Sequence, residues 1–500
     1  VNAGGRAIAV FLALRRSTNS WKLTYALPLA VLFALSLPHL AQGDWRGDTG
    51  WYAALGLHGW RSGELLSLHA GSQPYFNKPP LALWIHGLFL HAGGVDVGIA
   101  RLPTVLAAGL SVLATTGIAS RLAGRSAGAC AGVVLATSIE FFRRTREISL
   151  DIWQLAFLML ACWVVVAAVT SGRFWRVALA GIPIGLALLT KPIMGLAAVP
   201  MLAVWMLWAA HCDERWRSMR WLGVGVLIAA AVAMPWHLWM WRTHGTEFTA
   251  QYFGAEVGKR ALGESVGGQK GQAWWFYVQQ VVAAYWPWLL AATGAVVALA
   301  RGRGDFRARG AMKFGIVWFV CWLVLLTAFP DRRDRYAVPM YPGLALMAGV
   351  WISSLSPAWV RLGWRGVRRW GLPVAAVGGV VFALIPINVQ AGPDRQWREF
   401  GAWMSERRTR DGAWPTLYDG SFSGAPAARV FLLSGSWPIA TVNRRGEAIA
   451  APKAGDLVAY HRRGGSQPGD GERVEFSSGD LAVTRVEGAW SPRRVADPGE

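Results

Sequence analysis

Along residues 1–390, apolar runs of near-constant length alternate with short polar connectors. After Gln390 the runs stop. A bilayer's hydrocarbon core takes about 20 apolar residues per helix. The runs at 23–42, 103–120, 126–142, 150–170, 174–190, 192–210, 221–241, 274–300, 314–329, 336–355 and 371–389 therefore predict spans, a few of them short enough to be tilted or broken. The stretch 80–94, PLALWIHGLFLHAGG, is too short to cross comfortably and reads as an interfacial or re-entrant helix. Beyond 391 the pattern changes. Trp397, Phe400 and Trp403 with Met404 form one helical stripe, and short runs at Ala428–Leu433, Asp456–Tyr460, Arg473–Phe476 and Leu481–Val486 lie between turn-forming residues. The expected fold is mainly α. A polytopic transmembrane helical bundle of about 11–13 spans occupies 1–390, with long loops at 43–79 and 242–272, and a small α/β domain occupies 391–500.

Composition agrees. The chain is 54% hydrophobic and 16% charged, with a mean hydropathy of +0.31, against about 25% charged residues in ordinary soluble proteins. So apolar a chain is not intrinsically disordered, and four Cys in 500 residues make no disulfide scaffold. Cys130, Cys162, Cys212 and Cys321 sit in or at the ends of apolar runs and read as packing residues. The formal charge of +21 is distributed unevenly. Residues 391–500 hold 15 basic and 14 acidic residues. If the N-terminus is cytoplasmic, segments 1–22, 121–125, 171–176, 211–220, 301–313 and 356–370 face the cytoplasm and hold 20 basic residues against three acids. That bias orients the chain and puts the C-terminal domain outside. The basic N-terminus followed by a long apolar run reads as an uncleaved first helix.

The remaining charges are concentrated at helix mouths on the exterior side: loop 43–79, the turn RRTREISLD at 143–151, loop 242–272, and the turn DRRDRY at 331–336. Ionisable groups at membrane depth are costly and are usually paired or functional. Familiar soluble signatures are missing. The chain has no Walker A run, no Gly-rich dinucleotide turn, no HExxH and no DxD. Asp48-Thr49-Gly50 occurs once, without the second copy that a carboxylate dyad needs. His58 and His69 lack a metal-ligand spacing, and nothing points to nucleic acid.

Five ordered segments resemble one family, the polytopic GT-C glycosyltransferases of family 39. They are Gly47-Asp48-Thr49-Gly50-Trp51-Tyr52; Phe76-Asn77-Lys78-Pro79-Pro80-Leu81 with Arg101-Leu102-Pro103; Asp151 after an Arg-rich turn; Leu189-Thr190-Lys191-Pro192; and a last set running from Pro235-Trp236 through Glu256 and Arg260 and Tyr285-Trp286-Pro287-Trp288 to Arg335-Tyr336. Together they cover roughly residues 20–350.

The resemblance implies an integral-membrane enzyme, a hexosyl- or pentosyltransferase. It would move a sugar from a polyprenyl-phosphate donor to an acceptor hydroxyl or phosphate, on a glycolipid such as lipid A or on a protein, at the exterior face of a bacterial inner membrane. The leaving phosphate gains negative charge, which fixed cations and donors stabilise; Lys78, Arg260, Arg335 and Tyr336 are the candidates. An acceptor hydroxyl needs a base. Asp48 is placed there, with direct displacement and inversion. Asp151 either supports it or binds sugar, or simply favours a helix N-terminus. Tyr52, Glu256 and Lys191 are expected to bind substrate. In the lipid A branch an acidic residue commonly precedes Lys-Pro-Pro and a His follows the Glu of the later loop; here those positions are Asn77 and Val257. No metal ligand is assigned, and a divalent cation stays open. The rival reading is a transporter or flippase for a polyprenyl-linked sugar.

Overall fold

The computed structural model describes residues 22–38, 40–42, 45, 48–191, 194–209, 212–259, 272–302, 306–355, 369–370, 372–374, 376–377, 393–419, 424–440, 450–461, 471–479 and 481–488. The expected span at 371–389 and Arg260 lie largely or wholly outside them. The chain divides into two compact units. One comprises residues 1–39, 77–81 and 104–385; the other comprises 40–76, 82–103 and 386–500. The segments 40–76 and 82–103 thus belong with the C-terminal region rather than with the bundle.

Five helices among the described residues are long and apolar enough to cross a membrane: Val97–Ala123, Leu150–Thr170, Arg215–Ala255, Ala308–Ala328 and Asp334–Ser354. Five shorter apolar helices accompany them, Lys22–Ser36, Leu81–Gly93, Arg125–Ala136, Phe174–Leu188 and Met194–Trp208. The protein is a multi-pass membrane protein. Leu150–Thr170 lies centrally, with 72% of its apolar window buried, whereas Arg215–Ala255 is peripheral at 28%. The second helix turns Leu227, Trp241 and Leu238 outward, as a lipid-facing helix would.

Two expected spans are broken. The run 126–142 forms helices Arg125–Ala136 and Ile139–Thr145. Between them the Thr137 and Ser138 hydroxyls donate to the carbonyls of Val133 and Val134, and Ser138 takes an extended backbone. Such side-chain competition for helix carbonyls is how Ser and Thr interrupt helices. The run 274–300 forms Phe276–Ala284 and Trp288–Ala300, folded back through 111°. Pro287 stands at the break, lacking the N–H that a continuous helix would use.

Helices in the bundle meet closely at small residues. A Cβ on Gly349 would stand 2.5 Å from the Ala131 nitrogen, and one on Gly343 would stand 2.7 Å from the Gly315 carbonyl oxygen. Close backbone approach of this kind is the main attraction between helices in lipid, where apolar burial gives little.

In the second unit, helix Asp48–Ser62 crosses helix Leu81–Gly93 at Gly56 and Gly87, where a Cβ on Gly87 would fall 2.2 Å from the Gly56 oxygen. Trp60 donates to the Trp84 carbonyl and Trp84 to the Leu65 carbonyl, both at 2.7 Å. The C-terminal region is a five-stranded mixed sheet with two helices, Pro393–Asp411 and Gly424–Ser434. Its described strands are β1 (Leu417–Asp419), β2 (Ile439–Ala440), β3 (Leu457–His461), β4 (Glu472–Ser478) and β5 (Leu481–Val486), in the order β2-β1-β3-β5-β4. β1 runs parallel to β2 and β3, and β5 runs antiparallel to β3 and β4. Trp397, Phe400 and Met404 form the expected stripe against Leu417, Val430, Leu457, Leu481 and Val483. The run Ala428–Leu433 is helical, not a strand. Short apolar runs carry no decisive period, and here Ala427, Ala428, Val430 and Phe431 make a helical face.

Two predictions follow from this packing. Gly349→Leu forces side-chain atoms into the backbone of Ala131 and should destabilise the bundle by about 1–3 kcal/mol, read as a lower melting temperature in detergent. In the C-terminal sheet, the Glu475 carboxyl is held below its ordinary value of 4.5, first by the hydrogen bond from Arg485, against the opposing effect of burial, and then by Arg407. A carboxyl depressed on folding contributes stability above its unfolded pKa and loses it as pH falls through the folded value. Urea unfolding of this region should therefore become easier as pH drops below 4.5, and Glu475→Gln should lower stability at pH 7 while shrinking the difference between pH 7 and pH 4.

Candidate functional site

Helix Leu150–Thr170 is capped by Ser149, whose hydroxyl accepts from the Ile152 N–H. This leaves Asp151, one residue inside the helix, free of the capping role. Its side chain is 10% exposed and its Oδ1 accepts from Lys191 Nζ at 2.5 Å. Lys191 follows the helix Gly181–Leu188, its N–H still bonded to the Ala187 carbonyl, and its ammonium also lies 4.9 Å from the centre of the Tyr336 ring. The Arg335 guanidinium lies 5.9 Å from the same ring. Lys191, Arg335 and Arg144 are the cations that act on the Asp151 carboxylate. A buried carboxylate with fewer partners would be strongly disfavoured.

Lys78 is brought to this neighbourhood through the backbone. The Leu81 N–H donates to the Leu189 carbonyl at 3.0 Å, so the Lys-Pro-Pro-Leu and Leu-Thr-Lys segments are hydrogen-bonded neighbours. The Lys78 side chain is buried, at 8% exposure.

A charge network braces the two polar turns. Arg144 donates to Glu140 at 2.6 Å, to Glu147 at 3.1 Å and to Asp334 at 2.7 Å, and Arg143 adds a second bond to Glu140 at 2.8 Å. Burial alone would lower the Arg144 pKa, but the carboxylates of Glu147, Glu140 and Asp334 more than reverse this and hold it charged. The turn leading into Asp151 is thereby tied to the turn that carries Arg335 and Tyr336. Arg332 anchors the second turn from its other end, donating to the carbonyls of Gln272 and Thr327.

The root of the loop after residue 242 is equally fixed. Gly245, at φ 52°, takes a conformation that only glycine adopts without strain and turns the long helix into the π-helical segment Ala250–Lys259. Trp236 of the Pro-Trp motif packs edge-on against Phe248 and Tyr252, and the Tyr252 hydroxyl is 2.9 Å from His237 Nε2. Gln251 donates to Asn77 Oδ1 at 2.9 Å, tying this segment to the residue before Lys78. Glu256 lies in the segment, and its side chain is outside the described residues. Tyr285, of the Tyr-Trp-Pro-Trp motif, is fully buried against Tyr341 and donates to its carbonyl.

Two amides bonded to one another occupy the Asn77 position, and amides are poor zinc ligands. Among the described residues, no group of three or more His, Cys, Asp or Glu could hold a metal. Asp48 and Tyr52 belong to the other unit, where Asp48 opens helix Asp48–Ser62 and Tyr52 is buried one turn on. The Asp48 side chain is outside the described residues.

The comparisons with known proteins converge on one class. The family described as Dolichyl-phosphate-mannose-protein mannosyltransferase matches residues 77–239. The chain is 24% identical over 446 residues to an undecaprenyl phosphate-alpha-4-amino-4-deoxy-L-arabinose arabinosyl transferase of Pectobacterium atrosepticum, covering 83% of this chain and 76% of that protein. It is 26% identical over 338 residues to a similarly named transferase of Pseudomonas fluorescens, covering 65% and 59%. By these likenesses the chain is similar to the GT-C glycosyltransferases of family 39. The GT-C fold is shared with the crystal structure of ArnT from Cupriavidus metallidurans bound to undecaprenyl phosphate, with a TM-score of 0.68 at 18% identity over 92% of this chain and 97% of that one. The apo oligosaccharyltransferase of Archaeoglobus fulgidus is a more distant neighbour at TM-score 0.52.

The structure brings together Asp151, Lys191, Arg335 and Tyr336 directly and Lys78 through its segment. The sequence reading missed Glu140 and the Asn77–Gln251 tie. Glu140 carried a signal, being an acid inside an apolar run with arginines three and four residues on. Gln251 carried none, because a neutral amide in a polar loop has no pattern. Arg144→Met leaves the buried Glu140 with Arg143 alone and takes their shared partner from Glu147 and Asp334; it should cost about 2–3 kcal/mol along with most of the transfer rate. Asp334→Asn, at the exposed end of the network, should cost far less. Thermal unfolding and initial rates on the two variants check the order.

Proposed function

We propose that the enzyme transfers a sugar from a polyprenyl phosphate to a lipid A-like glycolipid at the exterior face of a bacterial inner membrane. The N-terminus would be cytoplasmic and the C-terminal region periplasmic. The observation that carries this reading is the partnered cation set around Asp151, with Lys78, Lys191, Arg335 and Tyr336 held on segments bonded to one another. The printed activity of the Pectobacterium relative supports a pentosyl donor of the aminoarabinose type. The transporter reading gains nothing, since the relatives are named as transferases.

In this mechanism an acceptor oxygen attacks the anomeric carbon of the donor sugar from the face opposite the phosphate. The new C–O bond forms as the sugar–phosphate C–O bond breaks, and the bonding pair leaves on the polyprenyl phosphate, inverting the sugar carbon. If the acceptor is a hydroxyl, its proton passes to Asp48. An ionised acceptor phosphate would bring its own negative charge and need Asp48 mainly to orient it. Lys78, Arg335 and Tyr336, with Arg260, meet the charge that grows on the leaving phosphate. Such groups act most strongly where water is excluded, and the burial of Lys78 fits this. Lys191 neutralises Asp151, which leaves Asp151 to accept hydrogen bonds from the sugar. Tyr52 and Glu256 complete the substrate contacts.

The test uses undecaprenyl-phosphate aminoarabinose and lipid A, with release of undecaprenyl phosphate as the readout. Asp48→Asn should lower kcat by about 10²–10⁴ with little change in donor KM. Lys78→Ala should raise donor KM by about tenfold or more, in line with a lost charge-assisted hydrogen bond. Equal release by wild type and Asp48→Asn would sink the catalytic assignment, and an unchanged donor KM would remove Lys78 from the phosphate site. Replacing lipid A with a Ser/Thr-rich protein acceptor should abolish transfer.

A further inference from the structure

The C-terminal region forms one compact unit with the segment that carries Asp48. The contacts are specific. Helix Gly424–Ser434 packs along helix Asp48–Ser62. Trp437, just beyond it, sits edge-on to both Trp51 and His58, with ring centres 5.8 and 6.0 Å away, and stacks on Phe431 at 4.8 Å. Arg61, at the far end of the Asp48 helix, lies over Phe431 at 5.8 Å. At the near end is Arg429. Its guanidinium stands 3.8 Å from the centre of the Trp397 ring and donates to the Trp45 carbonyl, three residues before Asp48. Gly50 meets the same spot, where a Cβ would come 3.0 Å from the Trp45 Cβ and 3.9 Å from the Arg429 Cγ.

We propose that helix Gly424–Ser434 sets the attitude of helix Asp48–Ser62, with Arg429 as the positioning residue for its N-terminal end and hence for Asp48. This rests on the reading of Asp48 as the base. Arg429 is 7% exposed. An apolar residue would fill the space without stripping water from a guanidinium, which is costly. What arginine adds is a directional, charged donor aimed at the backbone entering the helix, with its flat face held by an indole. Trp397 in turn belongs to the core of the C-terminal sheet, so the donor is mounted on the rigid part of the unit. The C-terminal region is thereby a brace for a reacting group rather than a docking module. A shift of about 1 Å at a reacting group is enough to cost roughly a hundredfold in rate.

The experiment is kinetic, on the full chain in detergent or nanodiscs, with the same donor and acceptor. Arg429→Met should lower kcat by about thirtyfold or more, within the range that such displacements produce. Donor KM and direct binding of undecaprenyl phosphate should stay within about twofold. Arg429→Lys, which keeps a cation over Trp397, should recover a substantial part of kcat. In an Asp48→Asn background, Arg429→Met should add almost nothing, because residues acting as a unit are non-additive. Undiminished kcat in Arg429→Met overturns the proposal. So does a parallel loss of donor binding, or an additive loss on top of Asp48→Asn. Should Arg429→Met not fold, Arg61→Ala at the exposed end of the same contact is read the same way: a smaller drop in kcat at constant donor KM supports the brace, and unchanged kcat overturns it. An active Asp48→Asn removes the base assignment itself, whereas an inactive Asp48→Asn beside a fully active Arg429→Met removes only the brace.

Discussion

The buried ion pair between Asp151 and Lys191 is the constraint around which the helical unit is organised. Each charge would be prohibitively placed without the other, so the helix Leu150–Thr170 and the turn after Gly181–Leu188 have to meet at a fixed height. Once they meet, Leu189 lies where its carbonyl can receive the Leu81 N–H, and Tyr336 closes over the ammonium. Asn77, bonded to Gln251, carries the same order into the segment after the long helix. Four stretches of chain, far apart in sequence, are placed by one neutralisation and its neighbours.

Cationic groups that meet a leaving phosphate must stay charged and must not be satisfied internally by too many carboxylates. The two turns handle these demands separately. Arg144 takes three carboxylates and is structural. Arg335, the neighbour of Asp334, acts on the Asp151 carboxylate and lies by the face of Tyr336, and an aromatic face also steadies a cation. Sequence adjacency of Asp334 and Arg335 thus places a structural anchor and a candidate ligand group on one short turn.

Much of this was legible beforehand, for physical reasons. A span must be long and apolar in lipid, so Leu150–Thr170 could be read to the residue. Charged turns between apolar runs are expensive enough to be noticed, and both 143–151 and 331–336 proved to be structured by ion pairs. Breaks inside runs were harder. Thr137 and Ser138 look like ordinary helix residues until their hydroxyls are seen bonded backward, and the fold at Pro287 bends back a run that is mostly apolar. The C-terminal stripe was read correctly because Trp397, Phe400 and Met404 repeat at helical spacing. Ala428–Leu433 is ambiguous because five apolar residues around Arg429 fit either period. Least visible was the grouping of residues 40–76 with the C-terminal region, since contacts between segments some 380 residues apart leave no local pattern.

The long helix Cys212–Thr249 shows most of its apolar surface outward and ends, through Gly245, in the segment bonded beside Lys78. Its consequence is one of dimensionality. A substrate with a polyprenyl tail would arrive along such a face by lateral diffusion in a two-dimensional solvent rather than from bulk water. The quantity that saturates the enzyme would then be a mole fraction in the bilayer. Diluting the membrane with inert lipid would slow turnover at constant total donor, while diluting the aqueous volume would not.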